Sequence, residues 1–153
     1  MDVSVELMFV KKCVFFVSVS KRLKFTTIEY IPNRTKGSLV KSIDKITCCY
    51  KARNIVIRTL FADPEFDFLE ERIKHTKVNT TAAREHVPEV ERKIRNIKNR
   101  MRARQAALPF VRMPRRMTIE LAKTCVLMLN VFPPSSVFPV MIIWGLCVFE
   151  QAA

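Results

Sequence analysis

Three carboxylates are placed so that a mixed α/β fold could bring them together: Glu6 in an apolar run near the N-terminus, Asp63 within LFADPEF, and Glu91 at the head of the basic stretch EHVPEVERKIRNIKNRMRARQ. Oxygen ligands without sulfur or imidazole suit a hard cation, Mg²⁺ or Mn²⁺. Two such ions about 3.5–4 Å apart clamp the attacking and leaving oxygens of a phosphodiester. Each acid also has a plainer reading. Asp63 precedes Pro64, and an Asp-Pro pair can simply open a turn. Glu91 stands at i−4 from Arg95, a spacing that supports a helical ion pair worth about 0.2–0.5 kcal/mol. Glu6 alternates with Val5 and Leu7 and could be an exposed strand residue. Only the joint placement of the three points to a metal site.

That placement depends on the elements between them. VSVELMFV (3–10), CVFFVSVS (13–20) and KFTTIEYI (24–31) are rich in β-formers and joined by tight connections, which predicts antiparallel strands. Thr35 can cap a helix over about 35–51, whose inward stripe is Leu39, Ile43, Ile46 and Tyr50. NIVIRTLFAD (54–63) reads as the next strand, and an intervening helix allows it to run parallel to the first. A short helix over 65–73 with Phe66, Leu69 and Ile73 inward and a short strand or extended piece over 76–81 follow. The basic helix starts at Val87 or Pro88 with Val90, Ile94, Ile97, Met101 and Leu108 as its buried stripe, and a last helix covers 117–131. The expected fold is α/β, a mixed five-stranded sheet with helices on both faces. In it Glu6 on the first strand and Asp63 at the exit of the fourth converge on one edge, and Glu91 supplies a third ligand.

Composition narrows the partners. The 153 residues carry a formal charge of +13, and residues 84–116 hold eleven Arg and Lys against three Glu. A concentrated basic segment predicts a polyanion, nucleic acid or an anionic membrane. The cations Arg92, Lys93, Arg95, Lys98, Arg100, Arg102 and Arg104 all fall on the basic helix; Arg95, Lys98 and Arg102 share a face with Glu91. Phosphate contacts there would position a strand without reading its sequence, and a solvated charged face is the alternative. The loop Asn79–His86, with Arg84 and His86, is either substrate-facing or an ordinary connection. Only Gly37 and Gly145 are glycines, which excludes a glycine-rich phosphate loop. Five cysteines without paired spacing predict reduced thiols in the nucleus or cytoplasm, and no zinc-finger spacing joins them to His75 or His86. VFPVMIIWGLCVF (137–149) is uncharged, but its thirteen residues are short of the roughly twenty that span a bilayer.

The segments VELMFV…FFVSVSKRLKFTTIEYIPNRTKGSLVKSI, LFADPEF, VNTTAAREHVPEVERKIRNIKNRMRA and LNVFPPSS resemble the integrase core of copia-type retrotransposon polyproteins. HVPEVERKIR carries the likeness most specifically and is similar to the variant found in algal elements. The resemblance covers about Val3 to Ser136 and leaves 137–153 as an apolar tail outside the family pattern. It implies a ribonuclease H-like fold whose acidic triad binds two divalent metals and cuts and joins DNA strands. By position Asp63 and Glu91 match the second and third acids, and Glu6 falls where the family has its first, an Asp. Arg95 and Lys98 match basic positions that hold DNA. The candidate nucleic-acid contacts are thus Arg84, His86, Arg92, Arg95, Lys98 and Arg102, and a homodimer is a further expectation.

Two departures predict impaired or absent catalysis: Glu6 stands in place of Asp, and Pro64 follows Asp63 where relatives usually have Asn. The chain starts just before the first strand and departs from the pattern after Ser136, as expected of a transposon fragment lacking a zinc-binding N-terminal domain. The rivals are a non-catalytic basic protein that binds DNA or RNA, and a basic membrane-associated protein anchored by 137–149. No small-molecule substrate is expected.

Overall fold

The computed structural model describes residues 1–52, 54–70, 73, 76–80, 88–109 and 112–132. Five strands form one sheet in the order β3-β2-β1-β4-β5. They are β1 (Asp2–Val10), β2 (Cys13–Ser20), β3 (Thr26–Ile31), β4 (Thr59–Ala62) and β5 (Lys77–Thr80). The first three pair antiparallel; β4 lies parallel to β1, and β5 parallel to β4. This is the mixed sheet expected, including the adjacency of the first and fourth strands. The β1–β2 turn is only Lys11-Lys12, both in the left-handed region at φ 45° and 64°. Such tight hairpins normally place Asn or Gly at those positions.

Helices cover both faces. Helix α1 (Lys36–Lys51) begins at Thr35, whose Oγ1 accepts the Ser38 N–H at 3.3 Å as a cap. Its Leu39, Ile43, Ile46 and Tyr50 pack with Val3, Val5 and Leu7 of β1 and with Phe66 and Leu69 of a 3-10 helix (Pro64–Leu69). The opposite face carries α2 (Pro88–Ala106) and α3 (Arg115–Val131). There Val90, Ile94, Ile97 and Met101 pack with Met8, Phe15 and Val17, and Ala122, Cys125, Val126 and Leu129 complete the layer. Period-two alternation along β1 and β2 thus divides the chain into two cores separated by the sheet.

Three boundaries differ from expectation. β4 starts at Thr59 rather than at residue 54, because the chain first wraps the end of α1: Asn54 is left-handed, and Ile55 donates its N–H to the Tyr50 carbonyl at 3.0 Å. The 65–73 segment is a 3-10 helix ending at Leu69, although Phe66 and Leu69 are buried as expected. Leu108 is beyond the end of α2 and only half-buried, where its N–H bonds the Gln105 carbonyl in a turn. Cys13, Cys48, Cys49 and Cys125 are free thiols.

One position on the β3 edge of the sheet is capped by a side chain. Asn130, near the end of α3, accepts the Thr26 N–H at 3.0 Å and donates to the Thr26 carbonyl at 2.8 Å. Its amide thereby substitutes for a neighbouring strand at β3, the kind of edge that otherwise invites aggregation. Replacing Asn130 by Ala should cost about 1–3 kcal/mol, because two backbone groups lose their partner. Asn130→Asp should not restore it, since a carboxylate cannot donate to the carbonyl. Urea unfolding followed by circular dichroism measures both; an unchanged midpoint for the alanine variant would refute the role.

Candidate active site

Strand register fixes the relation between the first two acids. In the parallel ladder Asp2 is level with Thr59, Val3 with Leu60, and Ser4 with Phe61. The same offset carried two residues further places Glu6 level with Asp63, one residue past the end of β4. Residues level across a parallel pair lie on the same face. Val3, Val5 and Leu7 belong to the core under α1, so Ser4 and Glu6 face the α2 layer, as Met8 does. Leu60 and Ala62 likewise belong to the α1 core, and Asp63 keeps an extended backbone at φ −68°, ψ 159°. Asp63 therefore continues the alternation onto the α2 face.

Asp63 also opens the 3-10 helix, but not with its side chain. Its main-chain carbonyl accepts the Phe66 N–H at 2.9 Å, and its carboxylate makes no capping hydrogen bond. Pro64 supplies the first helical residue, where a missing N–H costs nothing. The turn thus uses the backbone of Asp63 and leaves its half-buried carboxylate to other work. Glu6 is half-buried too, with Oε2 wholly removed from solvent.

The third acid comes from α2. Glu89 and Glu91 both lie in the first turn, where carboxylates interact favourably with the helix dipole. Glu89 pairs with Lys24 in the β2–β3 turn, which pins the start of α2 to the sheet. That pairing bridges 65 residues and left no sign in local sequence. Two residues on, Glu91 is half-buried, while Val90, Ile94, Ile97 and Met101 fill the core beneath the helix. Between them Lys93 is half-buried; burial pulls its ammonium below the usual lysine value, Glu89 opposes that, and Arg100 and Lys24 reinforce it.

The fold therefore puts Glu6 and Asp63 on the α2 side of the sheet and Glu91, half-buried, in the first turn of α2. It does not close them into a cage: among the described residues no three Asp, Glu, His or Cys side chains are grouped to hold a metal ion. As a donor set, three carboxylates fit Mg²⁺ or Mn²⁺ by chemistry. Arg92, Arg95 and Arg102 are exposed along α2 and Lys98 is half-buried; Arg102 is steadied by a 3.0 Å bond from Nη1 to Asn99 Oδ1. Arg84 and His86 lie outside the described residues, as do 81–83 and 85 of the same loop. No helix among the described residues is long and apolar enough to cross a membrane, and the apolar stretch 137–149 lies outside them.

No protein-family model matches the sequence, and no curated protein matches it. Among solved structures, the chain is similar to the catalytic core domain of BIV integrase at a TM-score of 0.69 and 16% identity, over 99% of this chain and 98% of that one. The chain accordingly has the ribonuclease H-like, mixed five-stranded α/β fold of a retroviral integrase catalytic core.

Proposed function

We propose that this chain is a copia-type integrase core, a fragment of a retrotransposon protein built for metal-dependent DNA strand transfer and weakened by glutamate at its first acidic position. What supports the reading is the β1–β4 register, which, extended two residues beyond the Ser4–Phe61 pair, brings Glu6 level with Asp63 on the face covered by the helix bearing Glu91. Likeness of fold to an integrase catalytic core supports it. Glu6, Asp63 and Glu91 are the residues that would hold Mg²⁺ or Mn²⁺. When bound, such ions offset the charge that builds on the oxygens of a phosphodiester under in-line attack. The chain itself positions the DNA: Arg95, Lys98 and Arg102 extend the face of Glu91 along α2 and hold backbone phosphates beside the acids.

The test is Mn²⁺-dependent cleavage of a branched DNA substrate that mimics a joined strand, comparing the native chain with Asp63→Ala after circular dichroism confirms that both fold. Slow metal-dependent cleavage is expected from the native chain, reduced at least about a hundredfold by Asp63→Ala, a loss typical of misplaced catalytic geometry. A metal-induced rise in melting temperature in the native chain, smaller in Asp63→Ala, gives a reading independent of turnover.

A second reading is favoured by the exposed cations Arg92, Arg95 and Arg102 along α2. On it the chain binds nucleic acid through α2 without cutting. Both readings give the same expectation for Arg95→Ala/Lys98→Ala: removing two phosphate contacts should flatten the slope of log affinity against log salt by about 1.8 on duplex DNA. Fluorescence anisotropy across a salt series measures it. An unchanged slope would remove this face of α2 from the interface.

A further inference from the structure

We propose that a cavity at the far end of the basic face holds one unpaired nucleotide of the bound strand; this rests on the nucleic-acid reading of α2 above and specifies what that surface binds. The cavity, ≈ 270 Å³, lies where the β1–β2 hairpin, the second half of α2 and the start of α3 meet. Lys11, Lys98 and Arg102 supply its cations, and Val10, Met101, Met113 and Leu121 its apolar lining. None of the residues lining it is acidic. An anion with a flat apolar body suits these walls, and a volume just below the roughly 300–1,000 Å³ of small-molecule pockets admits one base but not a base pair.

Four details favour a nucleotide of a strand over a free organic anion. Lys98 and Arg102 belong at once to the cavity and to the α2 face that carries Glu91, so the cavity continues the strand's track. From Glu6 to Val10 the strand rises about 13 Å at roughly 3.3 Å per residue. From Glu91 to Lys98 and Arg102 the helix advances about 10–16 Å at roughly 1.5 Å per residue. Both routes reach the cavity about four stacked base steps from the acids, taking about 3.4 Å per step. Gln105 offers an amide donor and acceptor suited to a base edge, whereas the Thr118 hydroxyl is already committed to the Pro114 carbonyl at 3.2 Å. Unbranched Met101 and Met113 can adapt to any of the bases.

The hairpin tip adds an independent observation. Lys11 and Lys12 occupy left-handed backbone that Asn-Gly would adopt with less strain. That backbone sets Lys11 at the cavity.

The experiment is anisotropy with the full chain and three DNAs: a blunt duplex, the duplex with a short single-stranded overhang, and the overhang with abasic residues. The native chain should prefer the base-bearing overhang over the abasic one by about tenfold, which is about 1.4 kcal/mol. Gln105→Trp and Met113→Trp, filling the cavity from α2 and from the α2–α3 connection, should each abolish that preference while blunt-duplex binding stays unchanged. Either variant serves if it keeps the native melting temperature. Equal affinity of the native chain for the two overhangs overturns the cavity proposal and leaves the α2 reading standing. Preference retained in a folded tryptophan variant also overturns the cavity proposal. Failure to bind any of the three DNAs overturns both.

Discussion

Glu6→Asp is expected to raise Mn²⁺-dependent cleavage of branched DNA by about a hundredfold, the factor associated with correcting a misplacement near 1 Å. The reason is geometric. The β1–β4 register, extended two residues beyond the Ser4–Phe61 pair, brings Glu6 level with Asp63, and the Phe66 N–H bonded to the Asp63 carbonyl holds the backbone there. Glutamate adds one methylene, about 1.5 Å of reach, on one side of that pair only. Its carboxylate must then fold back or overshoot wherever the aspartate of Asp63 reaches. The same substitution shortens a half-buried side chain without changing its charge, so its effect on folding should stay below about 1 kcal/mol. A large gain in cleavage with little change in melting temperature therefore separates a site effect from a stability effect. If Glu6→Asp binds DNA as the native chain does and still cuts nothing with either metal, the catalytic proposal fails and the binding reading stands.

Phe66→Ala is expected to destabilise the protein by about 3–5 kcal/mol and to disable the candidate site with it. Phe66 is wholly buried, and its ring meets that of Phe16 edge-to-face, with centroids 5.8 Å apart and planes at 73°. It lies in the core under α1, on the opposite side of the sheet from Glu6 and α2. Yet its N–H is held by the Asp63 carbonyl, so the anchor of the 3-10 helix also sets the backbone that carries the acid. Truncation leaves a cavity in a core where aromatic contacts contribute beyond their area. For a chain of this size the loss corresponds to a drop of roughly 10 °C in melting temperature, taking about 2–4 °C per kcal/mol. Phe66→Leu retains more apolar volume and should lose less. A Phe66→Ala protein that melts within a degree or two of the native chain would show that the 3-10 helix is not what holds Asp63.

Local sequence determined the elements, and the reason is that their signals are short-range. The β-rich runs of the first thirty or so residues, the Thr35 cap and the stripes Leu39–Tyr50 and Val90–Met101 depend on periodicities of two and 3.6 within single segments. The same is true of the charge on α2. Strand-helix-strand order was also enough to allow β4 beside β1. What tertiary structure alone decided is everything that joins residues far apart in the chain. Exact pairing of Ser4 with Phe61, and with it the level of Glu6 and Asp63, is a property of a ladder whose partners are separated by more than fifty residues. The late start of β4 comes from Ile55 bonding the end of α1, and local β-propensity cannot register that competitor. Asn130 reaches back 104 residues to close β3, and Lys24 reaches forward 65 to hold Glu89; neither is visible in any window of sequence. The cavity beside Lys98 needs a hairpin tip and two helices at once. Periodicity tells which side of an element is buried, but only packing decides which distant side chains share the space it faces.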